Sequence, residues 1–501
     1  MWTANSMTKV FRGDEAAAGS TLRLEAARNE HVAGQIVLRP TERAVQGLTL
    51  TTTDLEPMGA DARAGAISAA EVALRLVDYV YLPAPGRSDE REPLETAKAK
   101  HYPDALIPIE AVGPIDLEPG VAQPVWVSLV VPRETPAGIY KGEIEIHSGG
   151  QILHSAAIVL RVWGFTLADR PTVRSVIAGG LSREDRDGKA GEDMRRRYYE
   201  FWLERRLSPQ RMPAELDSSR AVAWYRDPRL SAFRIGSQNR ANHLERHDRL
   251  VDLWRRHGVL DKAVLRSVDE PKRKAEFDRI ARLTRSHPHV EQIVCFNRGV
   301  PGGWADGQTF FEILGDALGI WCPILNLYSN DEIRREARAR QDRGDEAWWY
   351  VCSWPKPPYP TFFVDGRGIE PRIMFWMKWL YRVDGFLHWG GARWQGKNPY
   401  ETAAVRDKWP NLYGDGYLLY PGDPVGYDGP VTSIRLEAIR DGIEDHMYLT
   451  ELTKHGKQSM ASAIAGRLVD SLRDYTRNPD ELLALRRVIG RWLERNAQRS
   501  D

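Results

Sequence analysis

Two consecutive carboxylates, Asp269 and Glu270, close the run Ala263-Val-Leu-Arg-Ser-Val and are followed at once by Pro271. Val264, Leu265 and Val268 suit a buried strand of a parallel sheet, and Pro271 cannot extend its ladder. The pair therefore stands at a strand's carboxyl end, the edge where strand-helix repeats gather ligands and catalytic groups. Two carboxyls held close in a partly dry pocket do not both ionise easily. One keeps its proton near neutral pH and can act as a general acid. Glycoside hydrolysis needs such an acid, plus a group that stabilises positive charge at the anomeric carbon. Adjacent residues are too close to flank a glycosidic bond from opposite faces, so the nucleophile must come from elsewhere. A 2-acetamido oxygen on the substrate can supply it, with one carboxylate holding the amide and the other handling the leaving-group proton.

Asp-Glu also occurs at 14–15, 89–90, 331–332, 345–346 and 480–481, in polar connections, before a strand or at a helix start. Only Asp269-Glu270 ends a buried strand directly. The aromatic residues are also unevenly placed: of 17 tryptophans, ten lie between Trp304 and Trp409. Indole faces offer apolar contact to sugar C–H groups while the ring N–H reaches hydroxyls, so this bias fits a carbohydrate site. Trp354 and Tyr359 follow the strand ending near Cys352, and Trp389 and Trp394 follow the strand Gly385-Phe-Leu-His388. These four, with His388 and with Tyr420 at the end of a last strand candidate, suit pocket lining and packing alike. Trp348 and Trp349 begin a strand, and Trp376 and Trp379 share a helix, so these read as core.

The elements that must position these groups fall into three stretches. Residues 1–166 alternate short apolar strands with turns, as in Pro124-Val-Trp-Val-Ser-Leu-Val-Val-Pro132 and Glu143-Ile-Glu-Ile-His147, the pattern of an all-β sandwich. The charged stretch from Pro83 to about Ile107 is expected to be a long surface loop. Over residues 167–450, apolar runs alternate with amphipathic helices: 172–177, 263–268, 292–296, 320–325, 348–352, 385–389 and Tyr417-Leu-Leu-Tyr420. Such alternation implies parallel pairing, and an α/β (β/α)8 barrel closes it economically. The chain from Ser433 is helical, with Arg440 and Glu444 spaced for an i,i+4 ion pair worth a few tenths of a kcal/mol. Residues 451–501 are expected to form C-terminal helices packed on the barrel, near Met460–Tyr475 and Pro479–Asn496.

Several function classes are disfavoured. Lys+Arg 70 against Asp+Glu 69 leaves a formal net charge of +1, so no whole-chain field draws nucleic acid or an anionic membrane. No apolar run approaches membrane-span length, and Met1-Trp-Thr-Ala-Asn-Ser lacks signal-peptide features. A cytoplasmic protein is expected, although a trimmed secreted chain would read the same. Cys295, Cys322 and Cys352 lack metal-ligand spacing and read as buried thiols. His243 and His247 have no Glu directly after the first histidine, and no phosphate-binding glycine loop or Gly-x-Ser-x-Gly turn is present.

Ordered blocks in the second half carry a family likeness. Val268-Asp-Glu-Pro271, Trp348-Trp-Tyr-Val-Cys-Ser-Trp-Pro-Lys-Pro-Pro-Tyr-Pro-Thr-Phe-Phe363 and Trp376-Met-Lys-Trp-Leu-Tyr-Arg-Val-Asp-Gly-Phe-Leu-His-Trp389 resemble the catalytic domain of glycoside hydrolase family 123. So do Gly414-Asp-Gly-Tyr-Leu-Leu-Tyr-Pro-Gly422 and the helix from Ser433 to Tyr448. Pro136-Ala-Gly-Ile-Tyr-Lys-Gly142 resembles that family's β-sandwich domain. The resemblance implies a retaining β-N-acetylgalactosaminidase using substrate-assisted catalysis, with Asp269 orienting the acetamido group and Glu270 as general acid, then base. It implies a carbohydrate partner and no metal or organic cofactor. A glycosidase of another specificity, for N-acetylglucosamine or for a sugar without the acetamido group, is the nearer alternative. Without the acetamido group it would need a distant second carboxylate such as Asp365 or Asp415. A non-catalytic carbohydrate-binding barrel would leave Asp269 and Glu270 facing solvent or locked in ion pairs.

Overall fold

The computed structural model describes residues 1–59, 65–82, 101–179, 188–236, 243–299, 304–305, 307–406 and 412–497. The first unit is two facing sheets. One orders Trp2–Asn5, His31–Leu38, Gln123–Val130, Val72–Tyr81 and His101–Pro108 side by side, all antiparallel. The other orders Thr21–Arg28, Gln151–Thr166, Gly138–Ser148, Val45–Thr52 and Ile115–Leu117. Alternate residues such as Leu22, Leu24, Ile36, Val125, Val127, Ile144 and Leu160 point between the sheets and are buried together, as period-2 patterning requires. The expected loop from Pro83 lies outside the described residues as far as position 100. Beyond it, His101–Pro108 is a strand and is buried from Tyr102 onward, so the loop expectation fails there.

The second unit is a barrel-like parallel sheet of seven strands, numbered here in chain order: β1 (Arg174–Ile177), β2 (Phe233–Gly236), β3 (Ala263–Asp269), β4 (Glu291–Phe296), β5 (Ile320–Pro323), β6 (Glu346–Val351) and β7 (Gly385–His388). From β2 to β7 each strand pairs with the next, and β7 returns to β1. The remaining seam, between β1 and β2, is closed by residues 208–210. Ile177 donates to the Ser208 carbonyl at 2.9 Å, Gln210 to that of Ile177 at 2.8 Å, and Arg234 to that of Gln210 at 3.3 Å. Three buried serines tie the seam further, with Ser208 N–H donating to Ser175 Oγ and Ser231 N–H to Ser208 Oγ, each at 2.9 Å. The cylinder therefore has eight staves, with a polar one in second place.

Inward residues Val176, Val264, Ile293, Cys295, Cys322, Trp348, Tyr350 and Leu387 fill the barrel, while Trp321, Trp349 and Phe386 face the helices. Trp376 and Trp348 are fully buried, as expected of core residues. The stretch Tyr417–Tyr420 is not a barrel stave. Tyr420–Pro421 pairs with Pro430–Ser433, which pairs with His101–Pro108, so this segment extends the sandwich sheet. An apolar run bounded by glycines reads the same in either sheet, and pairing partners, not periodicity, decide between them.

Two helices clamp the units together, α1 (Glu370–Tyr381) and α2 (Ile434–Lys454). Nearly every residue of α2 from Ile434 to Leu449 is buried, charged ones included. Arg440 accordingly binds Glu437 and Asp441 and only approaches Glu444, at 4.0 Å, so the expected i,i+4 pair is the longest edge of a buried network. The tail adds helices Gln458–Leu468 and Pro479–Ala497, the second capped by Asn478, whose Oδ1 accepts from Asp480 N–H at 3.0 Å.

Candidate active site

Strand β3 ends in an irregularity: its register against β4 slips between Arg266 and Asp269. Glu270 then takes a left-handed backbone, φ 48°, while its N–H still donates to the Cys295 carbonyl at 3.1 Å. A non-glycine residue in that region is costly, and such outliers concentrate where side-chain aim matters. The slip and the turn together aim the carboxylate of Glu270 across the barrel. Tyr350 of β6 donates its hydroxyl to Oε1 at 2.7 Å, and Asn297, directly after β4, donates Nδ2–H to Oε2 at 2.5 Å. Burial first, then the nearby Cys295 and Glu270, push the Tyr350 phenol upward, so it keeps its proton. A phenol can donate to an ionised carboxylate or accept from a protonated one, so this cradle serves Glu270 in both states.

Asp269 is managed differently. Its side chain is 62% exposed and bound by Arg266 Nη2 at 2.6 Å, from an arginine that is itself nearly buried. One carboxylate of the pair is thus held by neutral donors and the other by a cation.

The expected pocket residues separate into three groups. Trp354 is exposed, with the Lys356 ammonium 4.7 Å from its ring centre, and Trp389 is half-buried, its Nε1–H donating to Asp415 Oδ1 at 2.8 Å. Tyr359 is half-buried and shares a 3.2 Å hydrogen bond with Ser329. His388 is buried between Phe362 and Phe386, its Nδ1 bonded to the Gly390 carbonyl. Burial pulls its pKa down to about 4, which makes it a neutral wall. Trp394 and Tyr420 are spent on packing. Trp394 is buried with Nε1–H on the Leu419 carbonyl at 2.9 Å, and Tyr420 is fully buried and donates to Asp104 of the sandwich at 2.6 Å.

The distant carboxylates are also committed. Asp415 holds Trp389 and Arg406. Asp365 is buried near Lys9 and Glu370, and burial pushes it up to about 6. Residue types alone did not single out Asn297, Tyr350 or Arg266. The available signal was positional: Tyr350 alternates with the outward Trp349, and Asn297 takes the first place past its strand.

A sandwich packed on a (β/α)8-type barrel, with acid groups converging on the barrel's carboxyl rim, defines an enzyme-like architecture whose chemistry belongs at that rim. Residues 9–148 match the glycoside hydrolase 123 N-terminal domain and residues 320–452 match the glycoside hydrolase 123 catalytic domain. The chain belongs to glycoside hydrolase family 123. Among solved structures it is similar to a family 123 glycoside hydrolase from Clostridium perfringens, studied for glycolipid glycan hydrolysis. The TM-score is 0.70 at 14% identity, over 99% of this chain and 98% of that one. A family 39 glycoside hydrolase from the gut symbiont Bacteroides cellulosilyticus WH2 is a remote likeness, with TM-score 0.32 and 10% identity over 85% of this chain and 82% of that one. No curated protein matches the chain. Asp269 and Glu270 fall between the two matched segments, so their assignment rests on the geometry above.

Proposed function

We propose that the chain is a retaining exo-β-N-acetylgalactosaminidase working by substrate-assisted catalysis. Glu270 protonates the glycosidic oxygen while the 2-acetamido carbonyl oxygen attacks the anomeric carbon, giving an oxazolinium ion and the free aglycone. Asp269, oriented by Arg266, accepts the acetamido N–H and balances the positive charge. Ionised Glu270, steadied by Tyr350 and Asn297, then removes a proton from water as it adds to the anomeric carbon, and two inversions give net retention. By likeness to the Clostridium perfringens enzyme, the aglycone is proposed to be the remainder of a glycolipid glycan.

The observation that carries this reading is the convergence of Tyr350 and Asn297, from two other strand ends, on Glu270, next to a carboxylate clamped by its own arginine. A non-acetamido glycosidase would want a free second carboxylate, and Asp365 and Asp415 are both committed elsewhere. A binding-only barrel would account for the Asp269–Arg266 pair, but it gives no reason for the donors on Glu270.

The test compares nitrophenyl β-glycosides of N-acetylgalactosamine, N-acetylglucosamine, galactose and glucose, using wild type, Glu270→Gln and Asp269→Asn. Cleavage of the first alone is expected, reduced about 10²- to 10⁴-fold in each variant. Turnover of the galactoside with both variants unimpaired would remove the mechanism.

A further inference from the structure

Arginines are unevenly balanced on one side of the barrel mouth. Ala232, just before β2, faces the interior while Phe233 and Ile235 of β2 face the helices, so Arg234 shares the inward face. On β3, Val264 is inward and Leu265 outward, so Arg266 points inward too. Register sets Arg234 beside Val264 and Arg266 beside Gly236, which makes the arginines diagonal neighbours on adjacent strands. Next to them comes exposed Arg211, directly after the stave that ends at Gln210.

Among the described residues, few acceptors answer these cations. Asp269 is taken by Arg266 at 2.6 Å, and Arg234 Nη1 reaches the neutral amide oxygen of Gln210 at 3.2 Å. Arg234 Nε is buried, with no hydrogen-bond partner among the described residues. Burial, then the Arg266 and Arg211 charges, press the Arg234 guanidinium down to about 10. Among the described residues, the inward positions one step nearer the rim are Ala178 and, beside Gly236, Arg266 itself. Among the described residues here, three cations face the Asp269 carboxylate when Glu270 carries the proton it needs as general acid.

We propose that this side of the mouth is an anion subsite: Arg234 and Arg211 receive a negatively charged group, a sulfate ester or a carboxylate, carried on the reacting N-acetylhexosamine or on the sugar next to it. The inference rests on the reading above for where the sugar sits, and it adds a substrate class. An oxyanion there takes up the open guanidinium donors in charge-assisted hydrogen bonds.

The experiment measures kcat/KM on nitrophenyl N-acetyl-β-galactosaminide, on its 4- and 6-sulfates, and on N-acetylgalactosamine β-linked to a uronate, at low and high salt. In parallel, calorimetry follows binding of free N-acetylgalactosamine and its sulfates. At least one anionic form is expected to be preferred about tenfold or more, with the preference shrinking at high salt and falling toward unity in Arg234→Gln. Arg211→Gln, on the exposed side, should lower the preference less and guards against misfolding of the buried variant. Whether sulfate or uronate gains tells which sugar carries the charge. If the neutral glycoside is cleaved and no anionic analogue does better, the subsite is refuted and the catalytic reading stands. If nothing is cleaved but sulfated sugar binds tenfold tighter and Arg234→Gln abolishes the difference, the subsite stands and the catalytic reading fails. Equal binding and no cleavage removes both.

Discussion

Arginine is used in two opposite ways in this molecule. Along the seam between sandwich and barrel, Arg205, Arg206, Arg372, Arg435, Arg440 and Arg486 each have a carboxylate oxygen between 2.6 and 2.9 Å away, and all are buried. At the barrel mouth, among the described residues, Arg211, Arg234 and Arg266 share Asp269, and Arg266 alone touches it. A buried ion pair survives desolvation only when its charges are closely matched, and the seam matches each of these arginines with a carboxylate, leaving Arg440 Nε and Glu444 Oε2, 4.0 Å apart, as buried atoms without a hydrogen bond. A binding site is under the contrary demand, because a group satisfied by the protein has nothing left for a ligand. Charge balance therefore separates the residues that hold this fold together from those that face a substrate.

The contrast is sharpest at Arg435. Its guanidinium binds Asp104 through two nitrogens and also donates to the carbonyls of Phe362, Gly414 and Tyr417. Replacing it by Met strands the Asp104 carboxylate in the interior and should cost about 3–5 kcal/mol, seen as a lowered urea midpoint or failure to fold. The same change at Arg266 leaves a largely exposed Asp269 and should cost no more than about 1 kcal/mol while lowering activity. Equal stability losses at the two positions would break the distinction.

Acid should separate the regions next. Burial alone would raise the carboxyls of Glu437 and Glu444, but Arg440 and Arg205 hold Glu437 well below the usual range, and Arg206 and the His31 hydrogen bond hold Glu444 down to about 2. A depressed folded-state pKa gives stability that is present above the ordinary carboxylate value and lost as pH falls toward the folded one. The unfolding free energy from urea titrations should therefore drop steadily between about pH 4.5 and pH 2, by on the order of 3 kcal/mol for each such carboxylate. Changing Arg206 to Met should flatten part of that slope, and changing Arg211 should not. A midpoint independent of pH in this window would show that the seam carboxylates are not held ionised by their arginines.

What could be read from the chain follows the same division. The sandwich, the strand-helix alternation and the rim position of Asp269-Glu270 were legible because apolar periodicity reports burial against apolar neighbours. The stave at 208–210 was not, since Ser175, Ser208 and Ser231 close it with side-chain hydrogen bonds instead of apolar contact. Strand β2 was hidden because its inward residue is Arg234. The burial of helix α2 was not legible, because polar residues buried against polar residues leave the same pattern as exposed ones. Tyr420 was placed at the barrel rim by its neighbours in sequence, whereas its partner Asp104 lies more than 300 positions away. Tyr350 and Asn297 act on a residue three strands and one strand away, a relation that only closure of the cylinder creates.

At the mouth, Tyr350→Phe removes one neutral donor from Glu270 and nothing else. A hydrogen bond to a charged group is worth about 1.5–3 kcal/mol, so kcat/KM should fall about 10- to 100-fold. The matched change in the seam is Tyr420→Phe, which takes one donor from Asp104 while Arg435 still holds it. That variant should lose about 1–2 kcal/mol of stability and keep its kcat and KM. If Tyr420→Phe raised KM, the tyrosine would belong to the sugar site after all, and its removal from the pocket-lining set would be mistaken.

The smallest expected effect concerns Trp354, which belongs to neither pattern. It is 44% exposed, follows β6 by three residues, and offers its ring with Lys356 across one face. An aromatic surface left this open contributes little to folding, so Trp354→Ala should shift stability by no more than about 0.5 kcal/mol. A sugar stacked on the ring beyond the reacting unit would lose an apolar platform, so KM for an extended glycan should rise while KM for a nitrophenyl monosaccharide stays constant. Comparing the two substrates makes the outcome specific. A rise with both would place the indole against the reacting sugar itself, and a rise with neither would make it an ordinary exposed residue of the rim.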